Sequence, residues 1–126
     1  MTNIEKFWTA IRVLKSDVEC TVNGDVLTED DFNNNILWKT GTDGETAIST
    51  KTNPHPEITW EAVSSEMNII QTEYDAQDYA RNRETAYPVT KEFIEAYTEK
   101  EIGGDSTKWD VYVIKYNKVR SDNQKP

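Results

Sequence analysis

The chain has 126 residues, with 23 acidic side chains against 14 basic ones and a formal charge of -9, which suits one domain or a small domain with an appendage. So acidic a surface disfavours nucleic-acid backbones and anionic membranes, because both reward clusters of Lys and Arg. Only 36% of the residues are hydrophobic, so the core must be spread over several thin elements, while four Trp, six Tyr and three Phe argue against disorder.

Cys20 is the one cysteine, which excludes an intrachain disulfide and a cysteine-based zinc site, and it reads as a small buried hydrophobe. The first residues carry neither a basic n-region nor an apolar h-region, and no run has the length of a membrane span. The expectation is a soluble protein of a reducing cytoplasm.

Ile4, Phe7, Trp8, Ile11 and Leu14 recur at three- and four-residue spacing and predict a helix from about Asn3 to Lys15, with Thr2 and Glu5 as a capping box. The period then falls to two: Val18, Cys20 and Val22 alternate with Glu19 and Thr21, and Asn23-Gly24 predicts a type I′ hairpin turn. Either Val26-Leu27 pairs back at once, or Ile36-Leu37-Trp38 supplies the partner strand. Thr46 to Lys51 is a candidate edge strand. Two prolines in Pro54-His55-Pro56 exclude helix interior and central strand, so residues 52–58 read as a connector between a helix-plus-hairpin unit (1–51) and a helical region (59–126).

Thr59 is a candidate N-cap for a long helix whose seam is Val63, Met67, Ile70 and Tyr74 and which ends near Tyr87-Pro88. This seam is expected to pack on the Trp109, Tyr112 and Tyr116 face or on another copy, which makes a homo-oligomer a possible state. A second helix has Thr90 as its cap, Phe93, Ile94 and Tyr97 on one face, and Gly103-Gly104 as its stop; a third follows Asp105 or Ser106. From Lys108 to Lys125 five basic residues face two acids, a local charge of +3. The class is α+β: an N-terminal helix with a small antiparallel hairpin or sheet, then a helical half of one long and two shorter helices.

The parts of a catalytic or metal site are scarce. His55 is the only histidine and reads as an exposed loop residue, the acidic runs lack the ligand spacing of a calcium loop, and the glycines form no phosphate-binding pattern. No cofactor, no metal and no enzymatic activity are expected. The candidate protein-binding residues are Tyr74, Tyr79, Arg81 and Arg83, since exposed Tyr and Arg favour interface hot spots.

The stretch Tyr74-Asp75-Ala76-Gln77-Asp78-Tyr79-Ala80-Arg81-Asn82-Arg83 with Tyr87-Pro88, the leading helix with Ala10-Ile11-Arg12, and Ile36-Leu37-Trp38 resemble small tailed-bacteriophage proteins of the tail assembly chaperone-like or tail-fibre-associated type. The sequence departs from that pattern at Val89-Thr90-Lys91-Glu92-Phe93-Ile94 and in the segment from Thr40 to Pro56. The resemblance implies a non-enzymatic phage protein that binds tail or tail-fibre polypeptide, as an assembly factor or minor virion component, in the host cytoplasm or the virion. The alternative is an acidic inhibitor that mimics nucleic acid against a host enzyme. The +3 segment weighs against that alternative, because a mimic should present one continuous acidic face.

Overall fold

A computed structural model describes residues 1–126. It is α+β, with an N-terminal helix, a three-stranded antiparallel sheet and a helical C-terminal half. In chain order the elements are α1 (Asn3–Leu14), β1 (Cys20–Val22), α2 (Glu29–Asn34), β2 (Ile36–Asp43), β3 (Thr46–Thr50), α3 (Trp60–Ala76), α4 (Asp78–Ala86), α5 (Thr90–Glu101) and α6 (Thr107–Asp122). They form two compact units, Met1–Tyr74 and Asp75–Pro126.

In the N-terminal unit, α1 opens on the expected capping box: the Thr2 hydroxyl accepts from the Glu5 amide, and the Glu5 carboxylate accepts from the Thr2 amide at 2.7 Å. These bonds satisfy donors that the first helical turn leaves unpaired. The helix buries Phe7, Ala10 and Ile11. β1 pairs with the first half of β2, Cys20 opposite Trp38 and Val22 opposite Ile36, so the second of the two strand pairings holds.

Asn23-Gly24 does not close a type I′ hairpin. Gly24 has φ +98°, but no non-glycine residue has positive φ, and a type I′ turn needs it at both central positions. The chain instead passes through α2, which the sequence pattern does not announce. Thr28 and Asp31 form a second capping box, in which Asp31 Oδ2 accepts from the Leu27 and Thr28 amides at 3.0 Å each. Val26 and Phe32 anchor this excursion in the core.

β2 and β3 form the true hairpin, closed by Gly44-Glu45 with φ +60° at Gly44 and bulged between Lys39 and Gly41. The proline segment is folded into the N-terminal unit. Ile58 is fully buried, Asn53 bonds the Ile58 carbonyl and the His55 amide, and the His55 ring meets Trp38 edge-on at 5.7 Å. His55 is therefore a packed residue and not an exposed loop histidine.

The seam of α3 also belongs to this core. Val63, Met67 and Ile70 are buried with Phe7, Ile11 and Trp38, and Lys6 Nζ donates to Gln71 Oε1 at 2.9 Å. That corrects the expected packing on the Trp109 face. The helix also stops short of Tyr87, because the seam positions that follow Tyr74 are Gln77 and Asp78, which have no apolar surface to bury. Gln77 (φ -95°, ψ 2°) ends one helix and caps the next, its carbonyl accepting from Ala80 and Arg81.

In the C-terminal unit, α5 and α6 form an antiparallel hairpin. Val89, extended after Pro88, caps α5, so Thr90 is the first helical residue and not the cap. Gly104 (φ +68°) ends it, with the Asp105 amide bonded to the Glu99 carbonyl at 3.0 Å. The helical half thus contains four helices, and α6, at 16 residues, is nearly as long as α3 at 17.

Candidate functional site

The four sequence-predicted contact residues are divided between the two units. Tyr74 sits in the last turn of α3 in the N-terminal unit, whereas Tyr79, Arg81 and Arg83 lie on α4 in the C-terminal unit. Arg81 is half-buried and pairs with Asp78 at 3.4 Å. Arg83 lies over the Tyr79 ring at 5.1 Å and donates through Nε to the Asn123 carbonyl at 2.7 Å. Arg83 is thus engaged in joining α4 to the end of α6.

The more extensive feature is a run of six rings on α5, α6 and the residue that ends α4. Tyr87 stacks on Tyr116 (5.1 Å, 14°), Tyr116 on Tyr112 (6.3 Å, 26°), and Tyr112 on Trp109 (5.8 Å, 24°). Phe93 meets Tyr112 edge-on at 5.5 Å and stacks on Tyr97 at 5.8 Å. Trp109, Tyr112 and Tyr116 are three and four residues apart, which places them on one face of α6, while Phe93 and Tyr97 do the same on α5.

In a core these rings would be covered. Here Ala96 is the only hydrophobic residue of the unit that is buried; Phe93 is 39% exposed and Tyr97 48%, and Tyr87, Trp109, Tyr112 and Tyr116 are half-buried. A shallow cavity of about 280 Å³ lies among Phe93, Trp109, Tyr112, Val113 and Tyr116. Cations border the rings: Lys100 Nζ stands 4.7 Å from the Trp109 centroid, and Arg120 lies 5.8 Å from that of Tyr116. The sequence marks both aromatic stripes, but periodicity alone does not say that they remain open.

The other edge of the hairpin is a set of surface ion pairs. Lys108 meets Glu99 at 2.7 Å and Glu95 at 3.8 Å, and Lys115 meets Glu92 at 3.1 Å. The hydrogen bond to Glu99 raises the Lys108 pKa. These contacts offset much of the +3 charge, so the -9 is carried almost entirely elsewhere. Residues 1–74 hold thirteen acids against five bases, and residues 75–126 ten against nine.

No three His, Cys, Asp or Glu side chains converge to hold a metal ion. Burial pushes the Cys20 pKa up to about 11, which leaves it a thiol at neutral pH and a poor nucleophile. His55 Nε2 is buried without a hydrogen-bond partner. No helix is long and apolar enough to cross a membrane. No protein-family model, curated protein or solved structure matches the chain.

Proposed function

We propose that the chain is a non-enzymatic protein-binding module whose α5–α6 aromatic face captures a tail or tail-fibre polypeptide of a tailed bacteriophage, as an assembly factor or minor virion component. The observation that carries the binding role is the six-ring face in a unit where Ala96 is the one buried hydrophobic residue. Exposed apolar patches of this kind mark interaction sites, and Tyr and Trp supply large contact area at low conformational cost. The bordering Lys100 and Arg120 favour a segment that presents apolar side chains with acidic neighbours. The phage context rests on the sequence resemblance.

The test is calorimetric titration of purified tail-fibre polypeptide with the full chain and with the Phe93→Ser/Tyr97→Ser variant. The variant should bind at least about tenfold more weakly, roughly 1.4 kcal/mol, with an unchanged circular dichroism spectrum. Unaltered affinity would overturn the assignment of this face.

A second reading, the acidic inhibitor, draws on a specific observation: the negative charge is concentrated in residues 1–74. It requires direct binding to a host nucleic-acid enzyme that duplex DNA competes away and that higher salt weakens.

A further inference from the structure

The β2–β3 hairpin leaves β3 as one edge of the sheet. Thr46, Ala47, Ile48 and Ser49 are all exposed, so the strand is open on both faces as well as along its edge. Its five residues, Thr46-Ala47-Ile48-Ser49-Thr50, include no charge and no proline, two of the devices that commonly keep an edge from pairing. Charges stand only at its two ends, Glu45 before the strand and Lys51 after it, and they are opposite in sign.

The direction of the free backbone groups follows from the hairpin. The Ile48 carbonyl accepts from Thr40 Oγ1 on β2 at 3.3 Å, so it is turned toward β2. In an antiparallel strand the N–H and C=O of one residue point to the same side and successive residues alternate. The Ala47 and Ser49 groups are therefore turned outward, away from β2.

We propose that β3 pairs antiparallel with β3 of a second copy, about a two-fold axis at Ile48. In this register Ile48 faces its own copy as a non-hydrogen-bonded pair, where side chains approach closest. Ala47 faces Ser49 across the axis, and these are the residues whose outward N–H and C=O groups can exchange both hydrogen bonds. Thr46 faces Thr50. Just beyond the paired residues, Glu45 in the turn and Lys51 after the strand come to the same ends of the pairing, so each Glu45 lies near the Lys51 of the other copy, a charge match that the two-fold axis repeats.

The same charges disfavour the parallel alternative, which would set Glu45 beside Glu45 and Lys51 beside Lys51. Opposite charges directly across a sheet stabilise it, and like charges destabilise it. The occupant is thus a second copy in a defined register. The contact is small, and each N-terminal unit carries net negative charge, so association is weak and concentration-dependent.

Sedimentation velocity of the full chain at about 0.15 M salt, from about 10 μM to about 1 mM, reads the association in the range a contact of this size reaches. Native chain should move from monomer to dimer. Glu45→Lys or Lys51→Glu alone puts like charges opposite each other and should weaken dimerisation about tenfold or more. The double variant Glu45→Lys/Lys51→Glu restores the match and should dimerise as the native chain does, and an equal mixture of the two single variants should form mixed dimers. In hydrogen exchange, the Ala47 and Ser49 amides should gain protection with concentration while that of Ile48 stays unchanged.

A monomer throughout the range would overturn the proposal, as would a dimer indifferent to the charge swaps. So would a dimer abolished by Phe93→Ser/Tyr97→Ser, which would move self-association to the aromatic face. Protection of Ala47 and Ser49 only when tail-fibre polypeptide is added would assign the edge to a partner strand instead.

Discussion

The Arg83 guanidinium on α4 donates to the carbonyl of Asn123, 40 residues further along the chain, at 2.7 Å. Its Nη2 also approaches the Arg120 carbonyl at 3.5 Å. The last carbonyls of a helix have no intrahelical donors and carry the negative end of its dipole, so a cation placed there serves both needs. Arg83→Ala should free the end of α6, costing about 1 kcal/mol and speeding hydrogen exchange at the Asn123 amide, which is bonded to the Val119 carbonyl. Arg83→Lys should recover only part of this, since an ammonium lacks the planar fork. Native exchange in Arg83→Ala would leave the arginine available as a contact residue.

Trp38 ties the N-terminal unit together. It is 1% exposed, meets Phe32 edge-on at 5.8 Å and His55 at 5.7 Å, and lies opposite Cys20 on β1. Trp38→Ala should cost about 3–5 kcal/mol, a large share of a small unit's stability. Chemical denaturation checks it: a midpoint within error of native would mean that the rings are not jointly packed.

What could be read from the sequence follows from how local each signal is. The capping box at Thr2 and Glu5, the apolar stripe of α1 and the alternation from Val18 to Val22 need only neighbours along the chain, and each appears in the fold. The helix α2 was hidden because its six residues carry a single buried side chain, Phe32, too few to show a period. Pro54 and Pro56 do exclude regular structure, but they do not exclude burial, and Ile58 draws the segment into the core. The aromatic face was legible as two stripes and illegible as a site: Val63 and Met67 show the same spacing as Phe93 and Tyr97, and only tertiary packing decides which pair is covered.

The end of α5 offers a steric test with an internal control. A Cβ on Gly103 would stand 2.8 Å from the Glu99 carbonyl oxygen, and Gly104 has φ +68°. Gly103→Ala and Gly104→Ala should each lower stability by about 1 kcal/mol or more. Gly41→Ala, with nothing within 4 Å of the added atom and no positive φ, should leave the thermal midpoint unchanged. Equal behaviour of all three would remove the assigned helix stop.

Asp31 and Cys20 set opposite limits on the pH range of the N-terminal unit. The Leu27 amide, followed by the hydroxyl and amide of Thr28, holds the Asp31 carboxyl below its ordinary value of 3.8. A lowered pKa means the unfolded chain takes up the proton first, so the stability Asp31 contributes is complete above its ordinary value and is lost as pH falls through the folded one. Cys20 works the other way, because burial favours the neutral thiol. Its pKa rises from 9.0 to about 11, so its contribution is complete below pH 9 and is lost as pH climbs toward 11, where the unfolded chain ionises first. Denaturation midpoints measured across pH should fall at both ends, with the acid fall reduced in Asp31→Asn and the alkaline fall reduced in Cys20→Ala. At pH 8 a chromogenic disulfide reagent should label native Cys20 slowly and the denatured chain fast, because the thiolate is the reacting species. Rapid labelling of the native protein would show that Cys20 is not held as a half-buried thiol on β1, packed against the core.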